Sequence, residues 1–180
     1  VEGIRWFLKN VWDKLQTREP ELKLNLAGRH MPKWLMNLKK KNVKVWGEVP
    51  DAKEFIQDND IAIVPLLSGS GIRIKIIESM AMGKTVITTM IGAEGIQYSE
   101  YENIIIADSP AKMTEVICKI IKEPEEAQRI GRNATCQNYF VIAKFFCGGY
   151  GIIYKHIANP LAYGSTYHGD INFFAFLVGV

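Results

Sequence analysis

Residues 65–83 read PLLSGSGIRIKIIESMAMG. The stretch passes from an apolar strand through a small-residue loop into a helix expected over 71–83, with Gly83 as its stop. That helix is apolar nearly throughout, yet Arg73, Lys75 and Glu78 fall in its first two turns. Gly69, Ser70 and Gly71 lie between the strand's carboxyl end and the helix's amino end. Glycine lets backbone N–H groups come close to a ligand. A helix start offers free N–H groups and a partial positive charge, which together suit a phosphate. Cations in a first turn oppose the helix dipole at a cost of roughly 0.3–1 kcal/mol each. A diphosphate nearby would offset that cost. Arginine takes phosphate oxygens two at a time, and lysine acts as a mobile point charge. Glu78 has two readings. Among Ile74, Ile77, Met80 and Ala81 it needs a partner, and the hydroxyls of a ribose would serve. Alternatively it pairs with Lys75 at i, i+3 and both face water.

Two better-known phosphate motifs come close and fail. MGKT (82–85) resembles the end of a P-loop, but the glycine required five residues before Gly83 is Glu78, and a helix precedes the lysine. GSGIRI (69–74) begins like a dinucleotide fingerprint, but its third glycine position is Ile74 and no acidic residue is well placed some 20 residues on. A nicotinamide site is not expected.

Outward from this stretch, strands alternate with helices. Residues 1–17 carry Ile4, Trp6, Phe7, Leu8, Val11, Trp12 and Leu15 near helical period. LKLNLAG (22–28) alternates into a turn, and residues 43–49 (NVKVWGEV without its first Asn) read as a second strand. Asp51 is placed to cap AKEFIQDN. IAIVPL (61–66) is the continuous apolar run of a strand covered on both faces. KTVITT (84–89) and NIIIAD (103–108) are further strands, and helices are expected over 111–122 and 125–138. The pattern is that of an α/β, Rossmann-like, doubly wound parallel sheet. Domain-sized order is expected over 1–140. Residues 141–180 are different: three charged side chains (Lys144, Lys155, Asp170) against nine aromatics mark an atypical tail.

The 180 residues are 48% hydrophobic with a formal charge of +3, which suits a compact domain and is too weak a basicity to argue for nucleic acid. Lys39–Lys41 is expected as a solvated helix end. Cys118, Cys136 and Cys147 match no zinc pattern and read as free thiols in a reducing compartment, so the sequon at Asn133 is set aside. No apolar run approaches the roughly 18 residues of a membrane span, and the start is not a signal peptide. His30 reads as a surface turn residue, His156 and His168 have no visible partners, and the four tryptophans read as core or cover.

PLLSGSGIRIKIIESMAMGKTVITTMIGAEGI, with EGIRWFLKNVW, LNLAG, VKVWGEVPDAKEF and IGRNA, resembles the donor-binding domain of family-four retaining glycosyltransferases, which have the GT-B fold. The resemblance covers residues 1 to about 138. Many of those enzymes carry two glutamates with seven residues between them; Glu78 matches the second, and Ser70 stands where the first would be. The resemblance implies that Glu78 holds the ribose and that Arg73 or Lys75 faces the diphosphate, the two being the candidates for the catalytic role. Gly69, Ser70, Gly71 and Ile72 would lie against donor sugar and phosphates, with Glu94 of GAEGI beside them. The base would meet the VWGEV loop. It further implies transfer of a hexose from a nucleoside-diphosphate sugar to a glycan or lipid-linked glycan, in polysaccharide biosynthesis, with retention of configuration and without an obligatory metal. A cytoplasmic location follows, with peripheral membrane association left open for a full-length enzyme. The alternatives are a GT-B nucleotide-sugar epimerase and a non-catalytic α/β module.

The matched residues correspond to one half of a GT-B enzyme and begin after that half's first strand. In a sheet ordered 3-2-1-4-5-6 that strand is central. A vacancy there would leave backbone groups unpaired at about 1–3 kcal/mol each. The β-prone run INFFAFLVGV (171–180) is the candidate to fill it, packing elsewhere being the other outcome. An isolated fragment of this kind is expected to bind donor weakly and not to catalyse transfer.

Overall fold

A computed structural model describes residues 1–69, 73–146 and 174–178 of the chain. The first helical run has three parts: α1 (Glu2–Phe7), a π-helical turn (Leu8–Trp12) and α2 (Asp13–Arg18). Then come β1 (Lys23–Ala27), α3 (Lys33–Met36), β2 (Val43–Gly47), α4 (Ala52–Gln57) and β3 (Ile61–Val64). The remainder is α5 (Ile74–Ala81), β4 (Thr85–Thr88), α6 (Met90–Ala93), β5 (Ile105–Ile106), α7 (Pro110–Lys122), α8 (Pro124–Phe146) and β6 (Phe174–Val178).

The sheet order is β2-β1-β6-β3-β4-β5. The β1–β2, β3–β4 and β4–β5 pairs are parallel. The central place belongs to β6, which runs antiparallel to both neighbours: Asn25 pairs with Phe176 on one side and Ala62 pairs with Phe176 on the other. The backbone groups of β1 and β3 that would face a gap are thereby paired. A strand that follows α8, rather than feeding a crossover helix, is not bound by the right-handed βαβ rule and is free to enter in the opposite direction.

Successive residues of the inner strands face opposite layers. Leu24, Leu26, Ile61, Ile63, Ile87 and Ile105 pack with the α1–α2 run and α7 around Trp12, Phe7 and Met113. Ala62, Val86 and Ile106 pack with Ile56 of α4, Ile76 and Met80 of α5, and Ala134 of α8. Helices thus cover both faces, which is why β3 reads as an unbroken apolar run.

Three expectations need correction. The helix expected from residue 71 begins at Ile74, because Arg73 adopts φ −87 and ψ 63, outside the helical region. Lys39–Lys41 does not end a helix: α3 stops at Met36, and these lysines lie in the connection to β2, where Lys40 Nζ meets Asp13 Oδ1 at 2.6 Å. The last helix, expected to end at 138, runs on to Phe146 and across the compositional break at 141.

Candidate functional site

The site lies at the carboxyl ends of β3 and β4, where open α/β sheets place their ligands. Side chains fix the connections there. Thr88 Oγ1 donates to the Val64 carbonyl at 2.7 Å. Thr89 Oγ1 donates to the Leu66 carbonyl and accepts from Gly92 N, capping α6. Asp108 Oδ1 accepts from Met90 N at 2.7 Å, which ties the same turn to the end of β5. On the other flank α1 abuts the loop after β3. A Cβ on Gly3 would stand 1.6 Å from the Pro65 carbonyl oxygen, so only glycine permits this approach. Ser68 Oγ donates to Glu2 Oε2 at 3.2 Å. The sequence reading missed Gly3, Thr88, Thr89 and Asp108. The paired threonines closing KTVITT were a usable signal, since a hydroxyl at a strand end commonly caps or bridges the next turn.

Arg73 occupies the N-cap place of α5, not its first turn, and no side chain caps that helix end. The Arg73 side chain is only 9% exposed. Its Nη2 donates to the Gly69 carbonyl at 2.7 Å and to the Ile91 carbonyl at 3.3 Å, so the guanidinium bridges the loop after β3 and the α6 turn. Arg73 Nε is buried and has no hydrogen-bond partner among the described residues. An unmet buried donor costs about 1–3 kcal/mol, more on a charged group. Gly69 has φ 121, a conformation open to glycine and rare for L side chains. Glu94 Oε2 stands 3.9 Å from Arg73 Nη2, with the Glu94 side chain 72% exposed.

Lys75 and Glu78 lie together on α5. Burial pushes the Lys75 ammonium down from its ordinary 10.5 to about 7, against the pull of the Glu78 carboxylate. Burial pushes the Glu78 carboxyl up, against the opposing charge of Lys75. The i, i+3 coupling therefore exists, but neither group faces open water: both are mostly buried. The structure brings Gly69, Arg73 and Glu94 into one cluster, with Lys75 and Glu78 following on the same helix. Ser70, Gly71 and Ile72 lie outside the described residues.

Other candidates take their ordinary places. His30 is exposed at φ 52, in a turn. His156 and His168 lie outside the described residues. Trp12 is fully buried, whereas Trp46 is exposed, with the Lys44 ammonium 3.3 Å from its ring centroid and Phe55 edge-on beneath it. Among the described residues no group of three or more His, Cys, Asp or Glu side chains is placed to hold a metal ion. Among the same residues no helix is long and apolar enough to cross a membrane. A hollow of about 420 Å³ lined by Lys14, Arg18, Ala111, Thr114 and Glu115 contains none of the residues above.

Residues 1–123 match the family described as Glycosyl transferases group 1. An uncharacterized 44.6 kDa protein in the cps region of Klebsiella pneumoniae is 25% identical over 143 residues, covering 74% of this chain and 37% of its own length. The chain thus spans little more than a third of that relative. Among solved structures, Anabaena Alr3699/HepE in complex with UDP aligns with a TM-score of 0.46 at 20% identity, over 54% of this chain and 27% of the other. The C-terminal domain of a glycosyl transferase group 1 family protein (LpcC) from Francisella tularensis aligns with a TM-score of 0.45 at 22% identity, over 53% and 51%. The match across residues 1–123 settles the family: the chain belongs to the group 1 glycosyl transferases.

Proposed function

We propose that this chain is the donor-binding half of a retaining glycosyltransferase that moves a hexose from a nucleoside-diphosphate sugar to an acceptor hydroxyl. One observation carries the reading: the Arg73 side chain, nine-tenths buried, stands at the start of α5, where among the described residues its Nε meets no partner and no side chain caps the helix. A buried cation with unused donor capacity at a helix start suits a diphosphate, whose oxygens would take those hydrogen bonds. In this reading Arg73 and Lys75 stabilise the leaving diphosphate, with the helix end in place of an obligatory metal. Glu78 accepts hydrogen bonds from the ribose diol, and Gly69, Ser70, Gly71 and Ile72 lie along sugar and phosphates. The acceptor, a glycan or lipid-linked glycan, meets a second domain of a full-length enzyme. Polysaccharide biosynthesis in the cytoplasm, with peripheral membrane attachment in the full-length enzyme, belongs to the same proposal.

The test is thermal unfolding of the 180-residue chain with UDP- and GDP-sugars. A ligand at a hundred times its Kd raises stability by about 2.7 kcal/mol. The expected result is a rise with one nucleotide class that disappears in Arg73→Ala and Glu78→Ala. No response to any nucleotide would contradict the proposal and favour a non-catalytic α/β module.

A further inference from the structure

Glu94 stands in an odd place for a donor contact. Its carboxylate lies on the guanidinium that the diphosphate needs, 3.9 Å from Arg73 Nη2. That separation is too long for a hydrogen bond and short enough for a direct charge interaction. The Glu94 side chain is largely in solvent, while Arg73 is buried, so the carboxylate is the mobile partner of the two. Its backbone is held near the site: α6 is capped by Thr89 and tied to Asp108, and its Ile91 carbonyl accepts from the same Arg73 nitrogen. A carboxylate 3.9 Å from a cation whose Nε meets no partner among the described residues is placed to compete with an incoming anion for that cation.

We propose that Glu94 is an internal competitor for the diphosphate, and so a specificity-determining residue. It neutralises Arg73 in the empty site and makes binding depend on the charge of the ligand's terminal phosphate. The inference rests on the reading of the site as one for nucleoside diphosphates. The sugar-linked β-phosphate of a donor carries one ionisable oxygen fewer than the free β-phosphate of the product. A carboxylate nearby repels the more highly charged product more strongly, which favours its release after transfer. Glu94 then tunes the ratio of product to donor affinity.

The experiment is calorimetric titration of the full chain, wild type and Glu94→Gln, with UDP, GDP and the corresponding nucleotide sugars at low and high salt. Glu94→Gln removes the charge at an exposed position and leaves the Arg73 hydrogen bonds to Gly69 and Ile91 in place. The expected gain in nucleoside-diphosphate affinity is about two- to fivefold, the range of an exposed ion pair. The gain is expected to be smaller for the sugar-linked donor, to shrink at high salt and to vanish in an Arg73→Gln background. Equal or weaker binding by Glu94→Gln, in a protein whose wild type binds nucleotide, overturns the competitor role; weaker binding makes Glu94 a donor contact. If the wild type binds no nucleotide at all, the functional reading itself falls, and this inference with it.

Discussion

Two helices of the same sheet begin in opposite ways. Helix α7 starts with Ser109 at the N-cap, its hydroxyl accepting from Lys112 N, and with Pro110 pre-set at the first position. Two of its three basic residues, Lys119 and Lys122, sit in the last turn, where they favour the dipole, and the third, Lys112 in the first turn, is paired with Glu100 at 3.0 Å. Helix α5 starts with a cation at the N-cap, another at Lys75, and no side-chain cap. Both helices bury an apolar face, through Met113 and Ile117 in one and Ile76 and Met80 in the other. The two differ in how their amino ends are treated. α7 is finished by its own cap, whereas among the described residues no side chain caps α5 and Arg73 Nε meets no partner. Local rules are broken where a chain reserves a place for a ligand.

The contrast can be tested by substitution. The largest effect is expected from Ile117→Ala in α7, a fully buried side chain, which should cost about 2–5 kcal/mol in chemical denaturation. Nucleotide affinity measured below the unfolding transition should not change. Arg73→Ala reverses that pattern: affinity for nucleoside diphosphate should fall at least tenfold, since charge-assisted hydrogen bonds are worth about 1.5–3 kcal/mol. A fall in stability with unchanged affinity would make Arg73 a purely structural clasp between Gly69 and Ile91. Ser109→Ala should cost about 1 kcal/mol through the lost cap and leave binding untouched.

A test of a different kind lies in the pH dependence of stability. The folded Lys75 titrates near 7, against 10.5 ordinarily, so the unfolded chain binds more protons between those values. Stability from this group should therefore rise as pH goes from about 7 toward 10.5, and Lys75→Met should flatten that rise. Glu78 acts at lower pH and with the opposite sign. Its raised value means that stability falls as pH climbs past the ordinary 4.5 and the buried carboxyl ionises.

Much of this was legible in the sequence, for identifiable reasons. Strands buried on both faces announce themselves as runs such as IAIVPL, and the Asp51 cap was readable because it accepts from Lys53 N and Glu54 N two and three residues on. The cluster of charges in an apolar helix drew attention to α5, because a buried charge demands a partner. The place of β6 was also open to reasoning, since an unfilled central slot is costly and one β-prone run was left over. Its antiparallel direction was not, because no local signal fixes the sense of a strand outside a βαβ unit. Nor was the start of α5 at Ile74: the bend at Arg73 accompanies tertiary hydrogen bonds to Gly69 and Ile91, the second far away in the chain. The close approach of Gly3 to Pro65 was hidden for the same reason.

The most direct test is to map amide chemical shifts of the isotope-labelled chain during titration with a nucleoside diphosphate. The account predicts that the perturbations concentrate at residues 66–79 and 89–95, with the Arg73 side-chain Nε–H among the largest, and that the start of α7 stays silent. Saturable perturbations centred elsewhere, for instance around Lys14 and Glu115, or none at Arg73, would contradict it.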